Sequence, residues 1–85
     1  MDDPSSQVYA EIWAERVKQD AQWGGPAHDD TLNRHDWIKI IDRFRYRMIG
    51  SKTPERQREN FLQIAAVAVA AIESLDRKEL NNPGG

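Results

Sequence analysis

The chain of 85 residues has no cysteine, which excludes disulfides and thiolate chemistry and fits a reducing compartment. It begins Met1-Asp2-Asp3-Pro4, acidic and with no apolar stretch behind it, so no secretory signal is expected there. Its longest apolar run, Ile64 to Ile72, is too short to cross a bilayer. There is no glycine-rich phosphate loop, no GxSxG, no dinucleotide fingerprint, and no HExxH or Cys-His zinc pattern. One small domain over 1–85 and a cytoplasmic location are expected. A chain of this size builds a thin core, for which oligomerisation is a common remedy.

The net charge of -2 is unevenly spread. Residues 1–36 hold eight acids against three bases, residues 37–58 hold seven bases against two acids, and the remainder is mildly acidic. An acidic segment beside a basic one suits a site for metal and phosphate, and equally suits subunits pairing by opposite charge.

Three helices and no strands are expected. Asp3-Pro4 reads as N-cap and first helical residue, and Gly24-Gly25-Pro26 stops that helix near Trp23. A loop should follow to about Arg34, then a second helix over about 35–49 with Gly50 as its stop. Thr53-Pro54-Glu55 starts a third helix that runs to about Leu80, leaving 81–85 as a frayed tail.

In the second helix Trp37, Ile40, Ile41, Phe44 and Met48 share one face, with the bases outside it. The third is apolar all round from Phe61 to Ile72, so it should be central. Its alanines invite close approach, including by a symmetry mate, and predict a bundle completed by a second subunit. The first helix carries a polar stripe of Glu11, Glu15, Lys18 and Gln22. Arg16, Gln19 and Asp20 interrupt its apolar arc, and half-buried polar groups of that kind point to a pocket.

Four constellations could carry chemistry. Glu73 and Asp76, three apart, put two carboxylates on one helix face, as a hard cation such as Mg²⁺ requires; the plain alternative is an exposed acidic pair. Glu11 and Glu15 form a second such pair, or a solvated stripe. The segment Trp23-Gly24-Gly25-Pro26-Ala27-His28-Asp29-Asp30 holds more than a connector needs: its histidine could contact a base or phosphate or move a proton. Alternatively Asp29 or Asp30 organises the loop and Asn33 caps the next helix. Finally Lys39, Arg43, Arg45, Arg47, Lys52, Arg56 and Arg58 form a basic group. With no nucleic-acid-binding motif and a slightly acidic chain, it suits the phosphates of a small nucleotide or subunit contacts better than DNA or RNA.

The order Glu15-Arg16-x-x-Gln19, Trp23-Gly24-Gly25-x-x-His28-Asp29-Asp30, Asp36-Trp37, then an Ala/Val-rich helix closing on Ala71-Ile72-Glu73-Ser74-Leu75-Asp76-Arg77, resembles small phage-type proteins related to the MazG-like all-α nucleoside triphosphate pyrophosphohydrolases. The resemblance spans roughly residues 10–78. It implies an oligomeric nucleotide-binding protein in a host cytoplasm, in which Mg²⁺ helps water cleave a nucleoside triphosphate to monophosphate and pyrophosphate. It places metal on Glu73 and Asp76, with the remaining ligands expected from Glu15, Asp36 and the Asp29-Asp30 loop unless the metal site is degraded. His28, Asp29 and Asp30 become catalytic, and Arg16, Gln19, Trp23, Gly24 and Gly25 contact the nucleotide. The ExxD half of the family's metal motif is matched by Glu73 and Asp76, whereas the preceding helix has no ExxE and offers only Asp36 and Asp42. That gap motivates a second reading, a binding protein that sequesters a nucleotide or nucleotide signal against host defence; the opposite-charge segments and the alanine-rich helix motivate a third, an oligomeric interaction module.

Overall fold

A computed structural model describes residues 3–81, all helix and short connections. Residues 82–85 of the expected tail lie outside the described residues, while residue 81 closes the last helix.

The first helix, α1, runs Pro4–Trp23. The Asp3 carboxylate caps it by accepting from the Ser5 amide at 2.9 Å. It stops because Gly24 takes φ 109°, where its amide reaches back to the Asp20 carbonyl at 2.9 Å. The expected loop then contains a short helix, α2, Gly25–Asp29. Pro26 supplies its helical φ, and the Asp30 amide closes it on the Pro26 carbonyl at 3.0 Å. One turn leaves no periodic trace in a sequence, which is why three helices are expected and four are found among the described residues.

Helix α3, Arg34–Gly50, starts on a reciprocal cap: Asn33 accepts from the Asp36 amide at 3.0 Å, and Asp36 accepts from the Asn33 amide at 2.9 Å. Gly50 is the last helical residue, and the stop falls at Ser51, whose hydroxyl donates to the Arg47 carbonyl at 2.8 Å. Helix α4, Pro54–Asn81, begins with Thr53 accepting from the Arg56 amide at 3.2 Å.

The short 51–53 link lays α4 antiparallel to α3. Asn60 Nδ2 donates to Ser51 Oγ at 2.6 Å near the link, and Lys78 Nζ donates to the Leu32 carbonyl at 2.9 Å at the far end. Helix α4 is central: it packs against each of the other three, while the backbones of α1 and α3 flank it without meeting. Of the expected α3 face, Phe44 is buried and Trp37, Ile40, Ile41 and Met48 are half-buried.

The apolar core consists of Phe44, Ala66, Val67 and Ala70, and beside it Arg16, Gln19, Asp29, Asn60 and Ser74 are also buried. In α1 the polar interruptions turn inward and the apolar residues outward: Arg16 and Gln19 are its buried positions, and Tyr9, Trp13 and Val17 are exposed. The reason is partnership. Arg16 Nη1 donates to Glu73 at 2.6 Å, and Gln19 Nε2 donates to the Gln63 carbonyl at 3.3 Å, both on α4. No helix among the described residues is long and apolar enough to cross a membrane.

Candidate functional site

The Trp23–Asp30 segment is docked on the far half of α4 by Ser74, whose side chain is fully buried. The Ser74 hydroxyl lies 2.8 Å from Asp30 Oδ1, to which it donates, and 3.3 Å from the Asp29 carbonyl. Arg77 adds a two-pronged grip on Asp30, with Nη2 at 2.7 Å and Nε at 3.1 Å. These bonds, Arg77 first and Ser74 second, hold the Asp30 carboxyl below its usual range. The neighbouring Asp29 is buried, and burial followed by the charge of Asp20 raises its carboxyl. His28 is exposed; its Cβ lies 3.2 Å from where a side chain on Gly24 would begin, so the tight turn needs glycine there for space as well as for φ. Gly25 is buried with φ 69°.

The four residues the resemblance assigns to metal have separate places. Glu73 is engaged by Arg16, and Asp36 closes the α3 cap. Asp76 is exposed on α4, and Glu15 lines a cavity to which Arg16 does not contribute. Among the described residues no group of three or more His, Asp or Glu side chains is positioned to hold a metal ion. The donor set therefore does not fit a Mg²⁺ centre within one chain. Glu11 is occupied as well: Arg58 Nη1 donates to it at 3.0 Å, and that bond lowers its carboxyl.

What the helices do enclose is a cavity of about 310 Å³ in the cleft between α1 and α3, above α4. From α1 come Glu15, Lys18, Gln19, Gln22 and Trp23; from α3 Ile40, Arg43, Phe44 and Arg47; from α4 Gln63. The volume lies at the lower end of small-molecule sites. The wall has two characters: Trp23, Phe44 and Ile40 offer flat and apolar surface, while three glutamines offer both donors and acceptors. Lys18, Arg43 and Arg47 outnumber the single acid, Glu15. A second hollow of about 170 Å³ adjoins it, sharing Arg47 and Gln63 and adding Arg56, Glu59 and Asn60.

Of the nucleotide contacts the resemblance assigns, Gln19 and Trp23 line this cavity, whereas Arg16 is committed to Glu73 and the two glycines shape the turn beyond Trp23. Sequence reasoning about sites missed Phe44, Gln63 and Ser74. Phe44 reads as core and is core as well as wall. Gln63 is a polar residue inside an apolar helix, which was a usable signal; Ser74 was another, as a hydroxyl on an inward face.

Set against protein-family models, curated proteins and solved structures, the chain matches none.

Proposed function

We propose that this protein binds a nucleotide in the cleft between α1 and α3 and holds it without hydrolysing it. One observation carries the reading: an aromatic and amide wall, Trp23, Phe44, Gln19, Gln22 and Gln63, runs directly into a cationic end made by Arg43 and Arg47. A base stacks on aromatic faces and exchanges hydrogen bonds with amides, and guanidinium groups match phosphate oxygens two at a time. The adjoining hollow with Arg56 gives a phosphate chain room to extend past Arg47.

The dispersal of Glu73, Asp36, Asp76 and Glu15 supports sequestration over turnover, since phosphoryl chemistry of the MazG-like kind needs carboxylates gathered on a cation. The order of motifs that resembles that family supports a nucleotide as the ligand class. A phage-encoded protein of this kind would withdraw a nucleotide, or a signal derived from one, from its host.

Equilibrium dialysis in EDTA against a nucleoside and its mono-, di- and triphosphate tests the site. Affinity should climb with each added phosphate, and Arg47→Ala should weaken the triphosphate by about tenfold or more while sparing the nucleoside. Affinity that ignores phosphate number, or no binding at all, overturns the proposal.

A further inference from the structure

Helix α4 has a second apolar face whose large side chains no described residue covers. Phe61, Ala65, Ala68, Ile72 and Leu75 recur at alternating spacings of four and three, the pattern of a helix seam made for another helix. At about 100° per residue this stripe lies on the opposite side of α4 from the inward positions Gln63, Val67, Ala70 and Ser74. Phe61 is 62%, Ile72 57% and Leu75 63% exposed. A surface helix normally turns charge outward here.

We propose that this face is where a second copy of the chain docks, α4 against α4, antiparallel about a two-fold axis at Ala68. The stripe itself argues for the occupant, because it is nearly symmetric about that residue. Ala65 and Ile72 stand three before and four after Ala68, and Phe61 and Leu75 stand seven to either side. Under the two-fold, Ile72 of one copy drops against the small Ala65 of the other, Phe61 meets Leu75, and the two Ala68 methyls meet on the axis. That is large against small where the helices are closest, and apolar against apolar further out.

The area is also of the right order. Grooves flank the stripe on both sides, one lined by Val8, Ile12 and Leu62 and the other by Trp37, Ile38 and Ile41, so the apolar surface runs from α1 to α3. Tyr9 and Trp13 stand on the side of α1 away from Glu15, Lys18 and Gln22 and extend it. Tyr9, Trp13 and Phe61 are each about two-thirds exposed. At roughly 150–250 Å² per aromatic side chain they alone leave about 300–500 Å² uncovered. With Ile72, Leu75 and Ile38 the face approaches the roughly 800 Å² that each partner buries in a stable dimer, and exceeds what monomers commonly leave bare.

The ligand cleft opens on the other side of α4, so pairing leaves both clefts free, and the dimer does not rest on the ligand proposal. The absence of native cysteine makes the test clean. By light scattering the wild type should have twice the 9.8 kDa of one chain. Ala68→Cys should form a disulfide-linked dimer through its single thiol on the axis, while a control cysteine at exposed Ala27 should not. Ile72→Glu should give a helical protein of one-chain mass whose nucleotide affinity equals that of wild type. A one-chain mass for wild type at about 100 µM, where interfaces of this size are assembled, overturns the proposal. So does Ala68→Cys that cross-links no faster than the control. If Ile72→Glu fails to fold, the Ala68→Cys result decides alone.

Discussion

Arg16 and Glu73 are partners: the buried guanidinium of one, on α1, donates from Nη1 to Oε1 of the other, on α4, at 2.6 Å. Asp20 stands 3.8 Å from the same guanidinium, whose Nε is buried with no partner among the described residues. This pair takes up the carboxylate that would lead a metal site and uses it to fasten α1 to the central helix. Glu73→Ala should therefore destabilise the fold by about 2 kcal/mol, the scale for a hydrogen bond to a charged group whose loss leaves a cation buried. Urea unfolding measures it. Unchanged stability with changed ligand binding would instead place Glu73 in the site.

Gly24 and Gly50 make a contrasting pair. Gly24→Ala should cost about 1–2 kcal/mol, because a side chain at φ 109° is strained and would begin 3.2 Å from His28 Cβ. Gly50 ends α3 in open space, so Gly50→Ala should stabilise by about 0.4–1 kcal/mol through the unfolded chain. Thermal melts of both variants check the two signs together.

The neighbours Asp29 and Asp30 should titrate in opposite senses. Asp30 lies below its usual value of 3.8, through Arg77 first and then Ser74. Its contribution to stability is present above that value and is lost as the pH falls through the lowered one. Asp29 is raised by burial and by Asp20. Its ionised form costs stability at neutral pH, and that cost is relieved as the pH falls through the raised value. Asp30→Asn should thus be less stable than wild type at neutral pH, and Asp29→Asn more stable, with both differences shrinking toward acid. Denaturant melts from neutral to acid pH read the trends.

The caps, the stop at Gly24, the inward face of α3 and the central place of α4 were legible in the sequence, because each has a local cause: Asp3, Asn33 and Thr53 at the starts, glycine at the stop, a 3.6-residue period in α3, an apolar run in α4. Which side of α4 faces inward was not, since that run is apolar all round. The short helix α2 was not, since five residues carry no period. Nor was the orientation of α1. Its aromatic residues look like core, and only partners distant in sequence, Glu73 and the Gln63 carbonyl, turn Arg16 and Gln19 inward instead. For the candidate site, spacing along the chain could not assign carboxylates. Asp36 was required by its helix cap and Asp30 by Arg77. Arg43 and Arg47 were visible as charge; that they face Trp23 across a cleft is a property of the packing.

Trp23→Ala and Arg43→Ala should separate the two ends of the cavity. Removing Trp23 should weaken nucleoside and nucleotide alike, by about 1–3 kcal/mol of lost stacking. Removing Arg43 should weaken only phosphorylated ligands. Binding isotherms for adenosine and its triphosphate distinguish the patterns, and a Trp23→Ala variant that binds as well as wild type would remove the aromatic wall from the site.

The central claim is met most directly by calorimetric titration of nucleoside triphosphates into the wild-type protein, first in EDTA and then with Mg²⁺, with the ligand recovered and chromatographed. The account predicts saturable binding in EDTA and an intact ligand afterwards under both conditions. Binding that requires Mg²⁺ and returns monophosphate and pyrophosphate would contradict it and establish a hydrolase; no heat with any nucleotide would leave the cleft without this function.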